Sequence, residues 1–260
     1  MTRAALVTGG GSGIGAAVAR ALAAEGYAVT VAGRREQPLQ QVADEVGGHA
    51  VSADMSTPEG AERAVRETVE AHGGLDALVL CAGISRSGTV EQQTPEGWAS
   101  VLATNLTGGF LTARAAMPHL VERRGGLVAV SSLAGLRAAP ASAVYCVSKA
   151  GLNMLVQTIA VDYGPRGVRA NAVCPGWIRT AMADGAMDEL AGIRGTDREG
   201  AYRLTHARMP TPRPGDAGEV AGLVVWLLSP SAAYVNGAVI PVDGGVSVLD
   251  LGLLEWQETT

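Results

Sequence analysis

An apolar strand pattern that runs directly into a cluster of glycines constrains the fold of this chain most strongly. Residues Ala4–Thr8 lead into Gly9-Gly10-Gly11-Ser12-Gly13-Ile14-Gly15, which is followed by a helical apolar pattern and a second apolar run at Ala28–Ala32. This order predicts a βαβ unit. Glycines let the backbone approach a pyrophosphate, and the helix N-terminus offers N–H donors and a positive dipole end. The unit is predicted to bind a dinucleotide, unless the glycines only close the strand onto the helix.

Strand and helix patterns keep alternating along the rest of the chain. The strand patterns are almost continuously apolar, as is typical of parallel strands that are buried on both faces. The 35 glycines suit many tight turns, and no shift in composition divides residues 1–260. We therefore predict a single α/β domain, a Rossmann-like, doubly wound parallel sheet of about seven strands with helices on both faces. Later strands are predicted at His49–Ser52, Asp76–Leu80, Gly126–Ser131 and Val168–Cys174, and helices at Gln37–Val46, Pro58–His72 behind a Thr57 cap, after Thr94, and around Tyr145 to about Tyr163.

Two arginines follow the second strand, where an acidic residue often accepts from the ribose 2′-hydroxyl of NAD. The chain has Gly33-Arg34-Arg35 here, so no carboxylate would repel a phosphate and two guanidinium groups could bind one. Charge-assisted hydrogen bonds from these arginines to the 2′-phosphate, each of about 1.5–3 kcal/mol, would make binding of NADP roughly ten- to hundredfold tighter than binding of NAD. The sequence favours NADP, with NAD as the other possibility, although both arginines could simply be solvated.

Tyr145 and Lys149 stand four residues apart in a predicted helix, so their side chains leave the same helix face. A phenol by itself is a poor acid or base near neutral pH, because its reference pKa is about 10. A nearby ammonium favours the phenolate and makes proton exchange practicable. The pair is a candidate acid–base couple, but the same spacing also occurs by chance in many helices.

Charge and composition exclude several classes of protein. The net charge of −5 and the pI near 5.4 argue against nucleic-acid binding. Cys81, Cys146 and Cys174 are far apart and form no C-x-x-C, and the four histidines lack ligand spacing, so buried thiols are expected rather than metal sites or disulfides. There is no signal-peptide pattern, and the apolar run near Leu223–Leu228 is too short to span a bilayer. We expect a cytoplasmic protein with no nucleic-acid or membrane partner.

Several motifs, in order along the chain, resemble those of the short-chain dehydrogenase/reductase family. The resemblance extends from residue 4 to about Gly245, and a serine precedes the tyrosine by 13 residues, a spacing similar to that of the family. The matching residues are Thr8, Gly9, Gly13, Ile14, Gly15, Asp54, Ala82, Gly83, Asn105, Ser132, Tyr145, Lys149, Pro175, Gly176 and Val242-Asp243-Gly244-Gly245.

The resemblance implies roles for four catalytic residues. Tyr145 would protonate the carbonyl oxygen as hydride arrives and would take the proton back in the reverse reaction. Ser132 would hydrogen-bond the same oxygen, with Ser131 as its competitor for that role. Lys149 would stabilise the phenolate and bind the nicotinamide ribose, and Asn105 would hold a water that links the lysine to solvent.

The resemblance also implies a cofactor site. Asp54 would contact the adenine, while Ile178 and Thr180 would meet the carboxamide. Cys81 departs from the family, which usually has an asparagine at this position. The predicted cofactor-binding set consists of Thr8, Gly9, Gly11, Ser12, Gly13, Ile14, Gly15, Arg34, Arg35, Asp54, Met55, Cys81, Ala82, Gly83, Tyr145, Lys149, Pro175, Gly176, Ile178 and Thr180.

Two segments outside the motifs also have expected roles. Residues 181–214 lie where the family has its substrate lid, and their methionines suggest an adaptable apolar cover, although ordinary helix packing is equally possible. Residues 246–260 extend beyond the family's usual end and could dock on a neighbouring subunit or cover a neighbour's active site. Helices such as Ala143–Tyr163 and Glu219–Leu228 resemble those at the family's subunit interfaces, so a homotetramer or homodimer is expected.

Three functions remain open at this stage. The first is NAD(P)-dependent hydride transfer between the nicotinamide and a small-molecule ketone or secondary alcohol. The second is reduction of a 3-oxoacyl thioester on an acyl carrier protein. The third is a non-catalytic nucleotide-sensing regulator, which could dispense with the tyrosine and lysine that this chain keeps.

Overall fold

Seven parallel strands form one twisted sheet in the computed structural model, which describes residues 2–250 and Gly252. Along the sheet the strands follow the order β3-β2-β1-β4-β5-β6-β7, and every neighbouring pair is parallel. This confirms the predicted fold class. The strands are β1 (Arg3–Thr8), β2 (Tyr27–Gly33), β3 (His49–Ser52), β4 (Ala77–Leu80), β5 (Gly126–Val130), β6 (Arg169–Pro175) and β7 (Val239–Val242).

Helices cover both faces of this sheet. A five-residue π-helical turn, Ala103–Thr107, joins the fourth helix to the fifth, and a short 3₁₀ turn, Leu133–Gly135, follows β5. The helices are α1 (Gly13–Ala24), α2 (Glu36–Val46), α3 (Pro58–His72), α4 (Pro95–Leu102), α5 (Gly108–Arg123), α6 (Ala143–Tyr163), α7 (Ala181–Arg194), α8 (Arg198–His206) and α9 (Ala217–Leu228).

Two apolar layers lie on opposite faces of the sheet, because successive side chains of a strand point to opposite faces. In β4, Val79 packs in the layer with α1, α2 and α9, while Leu78 packs in the layer with α3, α5 and α6. Both faces are covered, so the strands need apolar residues at every position rather than at alternate ones. This explains why the strand patterns are nearly continuous in the sequence.

Local signals set the helix ends. The Thr57 hydroxyl accepts a hydrogen bond from the Gly60 N–H at 3.1 Å, which confirms the predicted N-cap of α3. Thr94 caps α4 in the same way, with Gly97 N–H as its donor. Pro58 and Pro95 occupy the first turns, where a missing N–H is tolerated. The predicted boundaries agree with the structure within one or two residues, except that Asn105 lies in the π-helical turn rather than in a regular helix.

The sequence expectation of three buried thiols needs correction. Cys174 is buried, but Cys81 and Cys146 are only half-buried; all three are free thiols. The apolar run near Leu223–Leu228 lies in α9, while α6 with the turn after it (Ala143–Arg166) is long and apolar enough to cross a membrane, by length and composition only. The buried face of α6 packs in the apolar layer with α3 and α5 and includes Lys149, so packing inside the fold accounts for the apolar residues of that face.

The segment predicted as a lid forms α7 and α8, which share a small apolar cluster of their own. Met187 and Tyr202 are buried in this cluster, so they pack the two helices together as ordinary helix packing predicts. Arg198 makes two hydrogen bonds to the Asp188 carboxylate, at 2.7 and 2.6 Å, and braces α8 against α7. In the C-terminal segment, Val246–Val248 form a 3₁₀ turn, while Leu251 and residues 253–260 lie outside the described part of the chain.

Replacing Leu78 by alanine tests the central role of β4 in the core. Leu78 is fully buried, so we expect Leu78→Ala to lower the free energy of unfolding by about 2–5 kcal/mol. The measurement is equilibrium urea denaturation followed by tryptophan fluorescence. The matched control is Leu204→Ala, because Leu204 is 60% exposed and should change stability by less than about 0.5 kcal/mol. Equal losses for both variants would contradict this assignment of the core.

Candidate active site

A cleft opens at the carboxyl ends of β1, β4 and β5. The strand order changes direction between β1 and β4, and such a switch point is where open α/β sheets bind ligands. The cleft has a volume of about 560 Å³, which is within the usual range for a small-molecule site. It is lined by sixteen of the predicted residues: Gly9, Gly11, Ser12, Gly13, Ile14, Gly15, Arg34, Arg35, Asp54, Met55, Cys81, Ala82, Gly83, Tyr145, Lys149 and Thr180.

The glycine turn at one end of the cleft requires glycine at several positions. Gly9 and Gly13 have φ values of +68° and +54°, a backbone conformation that residues other than glycine rarely adopt. A Cβ at Gly15 would overlap the Gly9 carbonyl oxygen, so this close turn also excludes alanine. The helix α1 begins at Gly13, and its N-terminal N–H groups therefore face the cleft, where they suit a phosphate.

Thr8 does not line the cleft but holds two of the elements that form it. Its hydroxyl accepts from the N–H groups of Cys81 and Ala82, at 3.0 and 3.2 Å, and donates to the Val79 carbonyl at 3.3 Å. The turn after β4 is thereby fixed against the end of β1. Gly9 touches the same turn, since a Cβ there would lie 2.9 Å from the Ala82 backbone.

Arg34 and Arg35 lie at the end of the cleft nearest β2. Arg35 Nη2 donates to the Ser12 hydroxyl at 3.0 Å, so a guanidinium and the glycine turn meet at this edge. Asp54, at the end of β3, faces the same region. The N–H and hydroxyl of Ser56 donate to Asp54 Oδ1 and hold the pKa of this carboxyl below its usual range. The region can thus bind an anion at the arginines and accept a hydrogen bond at Asp54.

Tyr145 and Lys149 both line the cleft from one turn of α6. Lys149 is buried, and its ammonium donates to the Val130 carbonyl at the end of β5 at 3.0 Å. The ammonium nitrogen lies 5.8 Å from the centre of the Tyr145 ring. A positive charge is therefore fixed beside the phenol, as the spacing in the sequence predicts.

The structure separates the two serines that follow β5. The Ser131 hydroxyl is buried and donates to the Lys149 carbonyl at 3.1 Å, which gives it a structural partner. Ser132 is half-buried, and its oxygen accepts from the Ala134 N–H at 3.1 Å, so its own proton points elsewhere. Ser131 lines the cleft, whereas Ser132 starts the turn beside it.

Asn105 lies behind the cleft in the π-helical turn. Its side-chain oxygen accepts from the Ile84 N–H at 2.8 Å, and its amide donates to the Ile84 carbonyl and to the Ser148 hydroxyl. The side chain therefore ties the turn after β4 to α6. A Cβ at Gly83 would lie 3.5 Å from both Asn105 Oδ1 and Lys149 Nζ, which shows how close these two groups approach the same turn.

Six predicted residues are not among the described residues that line the cleft: Thr8, Asn105, Ser132, Pro175, Gly176 and Ile178. Ile178 is buried in an apolar layer of the core, and Gly176 packs against Asp243. Sequence reasoning missed other lining residues, which carry no motif of their own and follow strand ends or begin helices. These are Gly33, Pro38, Leu39, Ala53, Ser56, Ile84, Thr104, Val130, Ala181 and Met182, while Ser131, the sequence competitor of Ser132, also lines the cleft.

The start of α7 faces the glycine turn across the cleft. Thr180 caps α7 through its hydroxyl, which accepts from the Ala183 N–H at 3.3 Å. Its methyl group approaches Gly13, where a Cβ would lie only 3.2 Å away.

The described residues contain no group of three or more histidine, cysteine or acidic side chains placed to hold a metal ion.

Comparison with known proteins identifies the family. A family model described as enoyl-(acyl carrier protein) reductase matches residues 9–247, which is most of the chain. The chain belongs to the short-chain dehydrogenase/reductase family. It is thus a member of a family of oxidoreductases that act on alcohol and carbonyl groups, and it has both dehydrogenases and ketoreductases among its relatives.

The relatives resemble this chain over nearly its whole length. It is 36% identical to 2-(S)-hydroxypropyl-CoM dehydrogenase 3 of Xanthobacter autotrophicus, over 94% of this chain and 96% of the relative. It is also 36% identical to the 3-oxoacyl-[acyl-carrier-protein] reductase MabA of Mycobacterium avium, over 95% of this chain and 91% of the relative. Among solved structures, a single-residue variant of actinorhodin polyketide ketoreductase with NADPH superposes with a TM-score of 0.90 at 33% identity, covering 95% of this chain and 98% of the other.

Cys81 stands where the family usually has an asparagine, and its thiol should react slowly with alkylating reagents. Burial raises the pKa of the Cys81 thiol to about 11, although the Lys149 ammonium acts in the opposite direction. Since the thiolate is the nucleophile, alkylation by iodoacetamide at pH 8 should be at least roughly a hundredfold slower than in the urea-unfolded chain. Peptide mass spectrometry gives the rate for Cys81 separately from the other cysteines. Similar rates in the folded and unfolded protein would contradict this environment.

Proposed function

We propose that the protein is an NADP-dependent oxidoreductase that transfers hydride between the nicotinamide and a ketone or a secondary alcohol. The observation that carries this proposal is the placement of Tyr145 and Lys149 on the wall of the cleft that the glycine turn opens. One site thus combines a proposed proton donor (Tyr145), a positive charge (Lys149) and a turn suited to binding phosphate. A nucleotide-sensing regulator would need only the last of these.

In the proposed reaction, Tyr145 gives its phenolic proton to the carbonyl oxygen of the substrate and takes it back in the reverse direction. Bound NADPH supplies the hydride. Lys149, held at the Val130 carbonyl, stabilises the phenolate that is left after proton transfer. Because the ammonium is buried, its field at the phenol is screened less than it would be in water.

Ser132 is proposed to donate its hydroxyl proton to the same substrate oxygen, since its oxygen accepts from the Ala134 N–H and its proton is left for another acceptor. A donor fixed in advance stabilises the negative charge that develops on this oxygen. Asn105 is proposed to support proton exchange between Lys149 and solvent through a water. Its side-chain amide is occupied by Ile84 and Ser148, so the side chain would act by holding the turn in place.

The cofactor is proposed to lie along the cleft with its pyrophosphate at the N-terminus of α1. Arg34 and Arg35 would bind the 2′-phosphate of NADP, and the Arg35–Ser12 hydrogen bond places one guanidinium at the edge of the glycine turn. Asp54 would contact the adenine. At the other end, the start of α7 at Thr180 would cover the nicotinamide, and α7 with α8 would act as the substrate lid.

A second candidate function is reduction of a 3-oxoacyl thioester. The 3-oxoacyl-[acyl-carrier-protein] reductase of Mycobacterium avium favours it, and the matching family model also names a reductase of acyl-carrier-protein substrates. The test follows nicotinamide absorbance with NADPH and NADH, offering an acetoacetyl thioester beside a panel of ketones and secondary alcohols. Turnover mainly of the thioester would replace the ketone proposal by this second candidate. Turnover of no substrate, together with tight NADPH binding, would favour a regulator and contradict both.

We also propose that the protein assembles into a homodimer or homotetramer, since large apolar side chains are exposed on three helices. Phe110 on α5 is 46% exposed and Met154 on α6 is 62% exposed, and Trp226 on α9 is 42% exposed. Contiguous exposed apolar surface marks protein–protein contacts, and we propose that these helix faces form the contacts between subunits. A monomer in analytical ultracentrifugation at micromolar concentration would contradict this proposal. The expected cytoplasmic location, and the expectation that no nucleic acid or membrane is a partner, remain predictions from the sequence and do not depend on this assembly proposal.

Replacing Tyr145 by phenylalanine tests the proposed proton donor. Tyr145→Phe removes one oxygen, so kcat should fall by at least about 10²- to 10⁴-fold because general acid catalysis is lost. The dissociation constant of NADPH, measured by fluorescence titration, should stay within a factor of about three of wild type. Tyr163→Phe, the same change at the other end of α6, is the matched control and should keep wild-type kcat. An active Tyr145→Phe enzyme would show that the proton comes from another group.

Replacing either arginine after β2 tests the cofactor preference. Arg34→Ala and Arg35→Ala each remove a proposed partner of the 2′-phosphate, so the ratio of kcat/KM for NADPH to that for NADH should fall roughly tenfold or more. Arg66→Ala on α3 removes an exposed guanidinium elsewhere and serves as the control. If both variants kept the wild-type ratio, the arginines would be solvated side chains and the proposed NADP preference would lack its basis.

A further inference from the structure

A buried hydrogen-bonded pair lies behind the turn that begins at Ser132. Asn153 stands four residues after Lys149 on α6, so it shares the helix face that looks toward β5 and β6. It is 6% exposed, and its neighbour Cys174 at the end of β6 is fully buried. The Cys174 thiol donates to Asn153 Oδ1 at 3.7 Å, and Asn153 Nδ2 donates to the Gly135 carbonyl at 3.2 Å. The amide thus bridges β6 and the turn after β5.

The turn that Asn153 holds is compact and continuous with Ser132. The Gly135 N–H donates to the Ser132 carbonyl at 2.9 Å, while the Ala134 N–H donates to the Ser132 hydroxyl oxygen. Gly135 presses on α6, since a Cβ there would lie 2.8 Å from the Lys149 carbonyl carbon and 2.9 Å from Asn153 Nδ2. A displacement at Gly135 would therefore be transmitted to Ser132.

The sulfur of Cys174 fixes the other end of the amide. Burial raises the pKa of the Cys174 thiol, and hydrogen bonding with Ser131, the Ser132 backbone and Asn153 acts in the opposite direction. The thiol stays protonated near neutral pH and orients Asn153 so that its NH₂ group, rather than its oxygen, meets the Gly135 carbonyl. Both ends of the amide are used, as expected for a buried polar group with a defined geometric role.

We propose that Asn153, oriented by Cys174, is a positioning residue that sets where the Ser132 hydroxyl lies relative to Tyr145. This inference rests on the proposed function, in which both hydroxyl groups meet one substrate oxygen. Because Tyr145 and Asn153 belong to the same helix, the bond from Asn153 to Gly135 ties the serine turn to the element that carries the tyrosine. Small displacements of a catalytic group cost about a hundredfold in rate per ångström, so this tie matters for catalysis.

The test compares Asn153→Ala in two backgrounds. In the otherwise wild-type enzyme we expect kcat to fall roughly tenfold, with the NADPH dissociation constant unchanged, because the cofactor cleft is not touched. In a Ser132→Ala enzyme, adding Asn153→Ala should lower kcat no further, since no serine hydroxyl is left to position. An equal fall in both backgrounds, or a parallel loss of NADPH affinity, would overturn the proposal in favour of a purely structural role.

Two further variants keep the proposal testable if Asn153→Ala folds poorly. Cys174→Ala removes the donor to Asn153 Oδ1 and should lower kcat in the same direction, while Cys174→Ser restores a donor and should recover most of it. Asn171→Ala is the matched control: Asn171 is also buried in β6 and bonds the Val235 carbonyl and the Ala238 N–H, far from the serine turn. It should lower thermal stability but not kcat. No turnover in the wild-type protein would contradict the proposed function, whereas a wild-type kcat for both Asn153→Ala and Cys174→Ala would contradict only this inference.

Discussion

The parallel arrangement of β1 beside β4 is the constraint on which the rest of the site depends. Because the strand order changes direction there, the two carboxyl ends lie next to each other without a helix crossing between them. The Thr8 hydroxyl locks the two ends together by accepting from two N–H groups of the neighbouring turn. These hydrogen bonds place the glycine turn and the Cys81-Ala82-Gly83 turn side by side in one cleft, which Tyr145 and Lys149 of α6 also line.

The helix α6 links the cofactor site to the proposed proton chemistry. Its first turns carry Tyr145 and Lys149, and the cost of burying an ammonium is offset by the Val130 carbonyl. One turn later, Asn153 holds the serine turn. A single rigid element therefore sets the relative positions of the groups that would share one substrate oxygen, as pre-organised catalysis requires. The same helix exposes Met154 on its outer face, so assembly would further restrict its motion.

Much of this architecture could be predicted from the sequence because it depends on local patterns. Continuous apolar runs predicted the buried parallel strands, Thr57 predicted a helix cap, and the Tyr145–Lys149 spacing predicted two side chains on one face. Contacts between distant segments could not be predicted this way. The π-helical turn at Asn105, the burial of Ile178 in the core and the Asn153–Cys174 pair each depend on packing between elements far apart in the chain. The roles assigned to the site residues remain predictions that geometry supports.

A crystal structure of the protein with NADP⁺ bound is the most direct test of the central claim, that this cleft holds the cofactor with its reactive ring beside Tyr145. We expect the pyrophosphate over Gly13–Gly15 at the start of α1, the 2′-phosphate beside Arg34 and Arg35, and the nicotinamide ribose on Lys149. A nicotinamide ring directed away from Tyr145, or a cleft without cofactor density at saturating NADP⁺, would contradict the account.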